Sequence, residues 1–169
     1  RVDKVVRCFR ATARDKHIGI TISGSSYRFT KGPNILDIVP YTLIDNAIKY
    51  SRPASDVDVK VYDLENRTVV VVSSLGPVIQ SDELEKVFEP GYRGGNACIV
   101  RPSGTGIGLS VAKEILDKFS GEIDVKQVAE VQNYDGVPYQ STTFTFSVPS
   151  SGEDKSRKHR HRRLRKFTQ

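Results

Sequence analysis

The sequence contains no methionine, not even at its first position, so the expectation is a piece of a longer or processed protein. No apolar run approaches the roughly 18 residues that a membrane-crossing helix needs, and no signal-peptide pattern opens the chain. The expectation is a soluble, cytoplasmic piece, and a membrane anchor has its place only outside it. Cysteine is scarce: Cys8 and Cys98 stand alone, with no metal-ligand spacing and no neighbouring histidine. They read as reduced, half-buried thiols in a cytosolic setting, which excludes a disulfide framework and a zinc cluster. No internal repeat is evident.

The formal net charge of +6 looks like a nucleic-acid signal until it is located. Residues 152–169 hold eight of the 26 Lys and Arg and two of the 20 Asp and Glu, which leaves eighteen of each in the rest of the chain. The body is electrically balanced. The tail, 151–169, has little apolar content and many like charges, so it reads as disordered or only locally helical. Such a tail can meet nucleic acid or an anionic membrane surface electrostatically, although Phe167 is its lone ring and a solvated tail is the simpler reading. The 169 residues, 37% hydrophobic and 27% charged, suit one ordinary domain with a real core.

Periodicity gives the elements. Val2, Val5, Val6, Phe9 and Ala13 make a helical stripe over residues 1–15, and Ile18, Ile20 and Ile22 alternate as a strand that Gly24 ends. A helix follows from Ile35, with Ile38, Tyr41, Leu43, Ile44, Ala47 and Ile48 on its buried side; Pro40 either kinks it or marks its first turn. Asp56–Asp63 and Thr68–Val72 read as a hairpin. A loop at Gly76-Pro77 leads to a short helix over Glu83–Phe88 and then to a long irregular stretch, Glu89–Ser103, of the length expected of a functional lid. Glu122–Glu130 and Ser141–Val148 are two more strands, joined about Asp135-Gly136. The pattern implies an α/β domain, with helices layered on one face of a mixed sheet.

Between the lid and these last strands lies Arg101–Gly121, RPSGTGIGLSVAKEILDKFSG. Gly104, Gly106 and Gly108 remove Cβ where backbone must come close to something. An amphipathic helix follows, with Ile107, Val111, Ile115 and Phe119 four apart and Leu109, Ala112 and Leu116 widening the stripe. Its N-terminus offers unpaired N–H groups and the positive end of a helix dipole, an anion site suited to a nucleotide's phosphates. A glycine-rich turn that merely starts a helix is the plainer alternative. Asn46, Lys49 and Tyr50 share one face of the earlier helix. A carboxamide oxygen suits Mg²⁺, a lysine neutralises phosphate, and a tyrosine ring can lie against a base. A polar rim on an amphipathic helix is the alternative there.

The segments IDNAIKYS (44–51), LGPVI (75–79), KVFEPGYRG (86–94), GTGIGLSVAKEI (104–115) and TTFTFSVP (142–149) together resemble the ATP-binding domain of sensor histidine kinases. That domain belongs to the GHKL superfamily of DNA gyrase, a heat-shock chaperone and mismatch-repair ATPases. The resemblance implies a two-layer α/β sandwich, with a mixed, mostly antiparallel sheet and helices on one face, the Bergerat fold. ATP would lie between the helix of Asn46 and a lid running from about Gly91 to Ser103. Asn46 would coordinate the Mg²⁺ bridging the phosphates, Lys49 would reach toward them, and both would be catalytic. Tyr50 would border the adenine, Phe88 matches the family's F-box phenylalanine, and Gly104, Thr105, Gly106, Ile107, Gly108 and Leu109 match the second glycine box. Ser74, Gly76 and Thr142 complete the expected nucleotide site. Arg93 and Arg101 flank the lid, where each can pair with a phosphate or stand exposed.

Two residues depart from the family pattern. Ser74 stands where the first glycine box carries an Asp or Asn that accepts from the adenine amino group. Losing such a contact typically costs about 1–3 kcal/mol, roughly ten- to a hundredfold in affinity, and opens the way to weaker or less adenine-selective binding. Thr42 stands where related kinases often have another Asn and the superfamily's hydrolases a glutamate base, so fast ATP hydrolysis is not expected. His17, His159 and His161 read as incidental. The resemblance therefore places the phosphoacceptor histidine on a dimerisation hairpin elsewhere in a homodimeric protein, with residues 1–15 as the last trace of that region, 16–150 as the catalytic domain and 151–169 as the basic tail. A response regulator would act downstream. A nucleotide-binding regulatory module without kinase activity is the alternative.

Overall fold

The structure, a computed structural model, describes residues 1–29 and 32–153. The readings made for the basic tail from residue 154 onward lie outside the described residues.

The first helical stripe forms helix α1, Val2–Asp15, which buries Val5, Val6, Phe9 and Ala13. These residues belong to the same apolar core as the sheet, so the helix expected as the end of a preceding region packs within the domain. Strand β1, Gly19–Gly24, follows, then a two-residue strand β2, Arg28–Phe29. A 3-10 turn at Asn34–Asp37 leads into α2, Ile38–Tyr50. Pro40 falls in the first turn of α2, where a missing N–H costs no helical bond, and it causes no break. The buried side of α2 is Val39, Pro40, Leu43, Ile44, Ala47 and Ile48. Ile38 and Tyr41, expected inside, are 41% and 50% exposed. Tyr41 instead lays its ring 4.7 Å from that of Phe9 on α1. At the other end, Lys16 Nζ donates to the Ile48 and Lys49 carbonyls and ties α1 to the end of α2.

Strands β3, Asp56–Leu64, and β4, Arg67–Pro77, form the expected hairpin. The lid region contains helix α3, Gly95–Val100, where an irregular stretch was expected, and the expected helix over Glu83–Phe88 is two 3-10 turns, Ser81–Glu83 and Lys86–Phe88. Helix α4 is Gly108–Lys118; strands β5, Glu122–Tyr134, and β6, Val137–Pro149, run beyond their expected ends, and β7 is Ser151–Glu153. Asp135 and Gly136 both take positive φ, 49° and 78°, in the two-residue turn that joins β5 and β6.

The main sheet has the order β1-β3-β4-β6-β5, parallel between β1 and β3 and antiparallel elsewhere, and β2 pairs with β7 beside it. Val57, Val59, Val61, Val70, Val72, Phe146 and Val148 face the helices in one core, which gives the expected mixed, mostly antiparallel sheet with helices on one face. Helix α4 buries Ala112, Ile115 and Leu116, whereas Ile107 and Val111 are 50% and 37% exposed. The stripe is thus turned about one residue from the expected one. Gly108 lets α4 approach α2 closely: a Cβ there would lie 3.2 Å from Thr42 Cγ2. Both cysteines are free, and Cys8 is exposed rather than half-buried. Among the described residues no helix is long and apolar enough to cross a membrane.

Candidate functional site

A cleft of about 440 Å³ opens between α2, the lid and the helix-facing ends of β4 and β6. Asn46, Lys49 and Tyr50 on α2, Ser74 and Gly76 on β4, Arg93 in the lid, Gly104, Thr105, Gly106, Ile107, Gly108 and Leu109 in the glycine turn, and Thr142 on β6 all line it. The structure brings every residue expected at the site to this one cavity except Phe88. That ring stands behind the wall, edge-on to Phe144 at 6.4 Å and with Lys113 Nζ 5.8 Å from its centre. Val87 and Phe144 line the cleft in its place.

At one end the glycine turn runs into α4. The N-cap position of α4, Ile107, offers no side-chain hydrogen bond, so the first N–H groups of the helix remain available to an anion. The glycines here make room for the protein itself. Gly106 has φ +69°, and a Cβ on it would come 2.7 Å from Gly91 C and Tyr92 O; the Gly91 N–H also donates to the Gly106 carbonyl at 3.1 Å. The turn is pressed against the start of the lid.

The basic groups near this end are held by neighbours. Lys49 Nζ donates to the Asp45 carboxylate, which lines the cleft one helical turn before it. Arg93 is bonded across the base of the lid, donating to the Pro102 carbonyl at 2.9 Å, to the Ser103 carbonyl at 3.5 Å and to the Arg101 carbonyl. Arg101 lines the cleft. The Asn46 side chain makes no hydrogen bond to another described residue, which leaves its carboxamide oxygen available in the cleft. No cluster of His, Cys, Asp and Glu among the described residues could hold a metal ion. The donor set fits an Mg²⁺ shared between one carboxamide and phosphate oxygens, not one caged by protein.

The lid is fastened by a residue that the sequence reading passed over. Glu83 accepts from the Gln80 N–H at 2.9 Å, the Gly95 N–H at 3.1 Å and the Tyr92 hydroxyl at 2.9 Å. These donors, the Gln80 N–H first, hold its carboxyl below the usual carboxylate value against the opposing effect of burial. Burial and the Glu83 carboxylate push the Tyr92 phenol up to about 12. Asn96 Nδ2 adds a bond to the Val78 carbonyl at 2.7 Å. The Gln-x-x-Glu spacing of Gln80 and Glu83 was the available signal, since it is that of a capping box.

Val78, Ile79, Val87 and Phe144 contribute apolar wall to the cleft, and Ser74 and Thr142 line it from the sheet as polar groups. A second missed residue, Gln127, bonds Thr142 from the neighbouring strand. Its role depends on strand register, which no local pattern discloses.

Comparison with known proteins bears on the family and the fold. Residues 33–152 match the model of the histidine kinase-, DNA gyrase B- and HSP90-like ATPases. The sensor protein SrrB of Staphylococcus aureus is 29% identical over 149 residues, covering 88% of this chain and 24% of that protein, so the chain spans about a quarter of the length of the curated relatives it matches. The fold is similar to that of the mycobacterial sensor histidine kinase MprB, with a TM-score of 0.71, 24% identity and coverage of 88% of this chain and 93% of that one. It is also similar to the catalytic domain of the histidine kinase ThkA, with a TM-score of 0.69, 22% identity and coverage of 88% and 89%. ThkA has in addition been solved in complex with the response regulator protein TrrA. With a family match over most of its length, the chain belongs to the histidine kinase-, DNA gyrase B- and HSP90-like ATPases.

Proposed function

We propose that the chain is the ATP-binding catalytic domain of a sensor histidine kinase, which presents the γ-phosphate of Mg·ATP to a histidine on a dimerisation hairpin outside this sequence. The observation that carries the reading is convergence: the carboxamide of Asn46, the ammonium of Lys49 and the open N-terminus of α4 meet in one cleft of nucleotide size. Phosphoryl transfer needs positioning and charge neutralisation more than covalent chemistry from the protein, and this cleft offers both. Asn46 would hold Mg²⁺ together with phosphate oxygens; the ion supplies charge neutralisation on the phosphates when bound. Lys49 would exchange Asp45 for a phosphate, and the α4 N–H groups would bind the chain of phosphates. Tyr50 and the apolar wall would take the base.

The phosphoacceptor, a homodimeric arrangement and a downstream response regulator belong to this proposal, as does a cytoplasmic location. The ThkA complex with TrrA and the SrrB likeness support the signalling context. A role for the basic tail on an anionic surface or nucleic acid is a subsidiary proposal, checked by loss of that binding on truncation after Pro149. The test of the main reading is Asn46→Ala in the intact protein, which is expected to abolish autophosphorylation. Unchanged activity would overturn the assignment of the metal ligand.

A further inference from the structure

The two polar groups that the sheet presents to the cleft, Ser74 and Thr142, lie in one row across three strands with Gln127 beside them. Ser74 on β4 is the register partner of Thr142 on β6, which in turn partners Gln127 on β5. Gln127 is fully engaged. Its Nε2 donates to Thr142 Oγ1 at 2.6 Å and to the Pro77 carbonyl at 3.1 Å, and its Oε1 accepts from the Ile79 N–H at 2.8 Å. Thr142 is engaged too, since its Oγ1 donates its one proton to the Gln140 carbonyl at 3.2 Å. Ser74 alone is open: it lines the cleft, and its side chain makes no hydrogen bond to another described residue.

A carboxylate in this row would only accept, and would favour a ligand that donates toward it. A serine hydroxyl turns about its C–O bond and can present either its proton or a lone pair. An exocyclic amino group and an exocyclic carbonyl therefore find the same quality of partner. The neighbours do not restore discrimination, because the one proton of Thr142 is directed to Gln140 and the amide of Gln127 is locked in place by three bonds. Of the other residues placed against the base, Val78, Ile79 and Phe144 are apolar, and the Tyr50 hydroxyl, like that of Ser74, can donate or accept.

On the reading that the cleft takes a purine nucleoside triphosphate, we propose that Ser74 relaxes base specificity, so that a 6-oxo purine nucleotide binds about as well as a 6-amino one. The test is calorimetric titration of this chain with ATP and with inosine triphosphate, which has a carbonyl in place of the amino group at position 6 and a proton on N1, in the presence of Mg²⁺. Dissociation constants within tenfold of each other are expected. A preference for ATP beyond tenfold overturns the inference and leaves the nucleotide reading intact, whereas binding of neither nucleotide overturns the nucleotide reading itself. Ser74→Asp supplies the acceptor-only group and is expected to raise the preference for ATP at least tenfold; a folded variant with an unchanged ratio refutes the role of Ser74. Should that variant not fold, the wild-type ratio decides, and Ser74→Ala is expected to weaken both nucleotides alike.

Discussion

At Gly106 the backbone takes φ +69°, and a side chain there would meet the backbone of Gly91 and Tyr92 at 2.7 Å. The left-handed conformation alone costs a residue with Cβ roughly 1–2 kcal/mol, and the contact adds to it. Gly106→Ala is therefore expected to lower Tm by roughly 2–8 °C or more and to weaken nucleotide binding. Gly136, with φ +78° and nothing within 4 Å of a Cβ, is the control. Gly136→Ala should carry the conformational cost alone and leave binding unchanged, and equal losses at the two positions would mean that the glycine turn is not pressed on the lid. At this scale the sequence was legible where chemistry is concentrated: the glycines, Asn46, Lys49 and Tyr50 could be picked out from residue type and spacing. It was illegible where a role depends on a distant partner. The approach that the glycines permit turned out to be to Gly91, Tyr92 and Thr42, and nothing local reveals that Arg93 would be held by three lid carbonyls, whereas the Asp45–Lys49 pair, four residues apart on one helix, was legible from spacing.

Among the elements, the lid depends on Glu83 at its hinge, which ties Tyr92 and Gly95 to the 3-10 turn that begins at Ser81. The carboxyl is held below 4.5 in the folded state. Its contribution is thus fully present above the unfolded value of about 4.5 and is lost as pH falls through the lower folded value. The Gly95 amide resonance should follow that titration with a midpoint below 4.5; a midpoint at or above it would mean that the bonds to Glu83 do not hold in solution. Glu83→Ala removes the acceptor of three donors. Amide exchange at 92–96 should quicken at least about tenfold, the equivalent of ~1.4 kcal/mol, and the Tyr92 phenol should drop from about 12 toward its ordinary 10. Most elements were legible from periodicity, but their ends were not. Strand β4 continues through Ser73, Ser74 and Gly76 because β6 pairs with it as far as Pro77 and Tyr139, and that ladder overrides the turn-forming residues. The turn of α4 away from Val111 has the same kind of cause, since close approach to α2 at Gly108 decides which side is buried.

For the molecule as a whole, the question is whether α1 is an appendage or a part of the domain. Its stripe was legible, and its partner was not: a helical face says that something covers it without saying what. In the structure Val5, Val6, Phe9 and Ala13 enter the core formed by α2, α4 and the sheet, and Val6 is fully buried. Phe9 is also the ring against which Tyr41 rests, which explains how α2 keeps a tyrosine near the cleft half exposed. Truncating such a buried phenylalanine leaves a cavity and costs about 3–5 kcal/mol, a large share of the roughly 5–15 kcal/mol that holds a domain folded. Phe9→Ala should therefore lower Tm by roughly 6–20 °C in a domain of this size, and it should weaken nucleotide binding through the loss of support for Tyr41. An unchanged Tm would show that α1 detaches without consequence and that the folded unit begins at β1. A lowered Tm with unchanged binding would place α1 in the core while freeing Tyr41 from any dependence on Phe9.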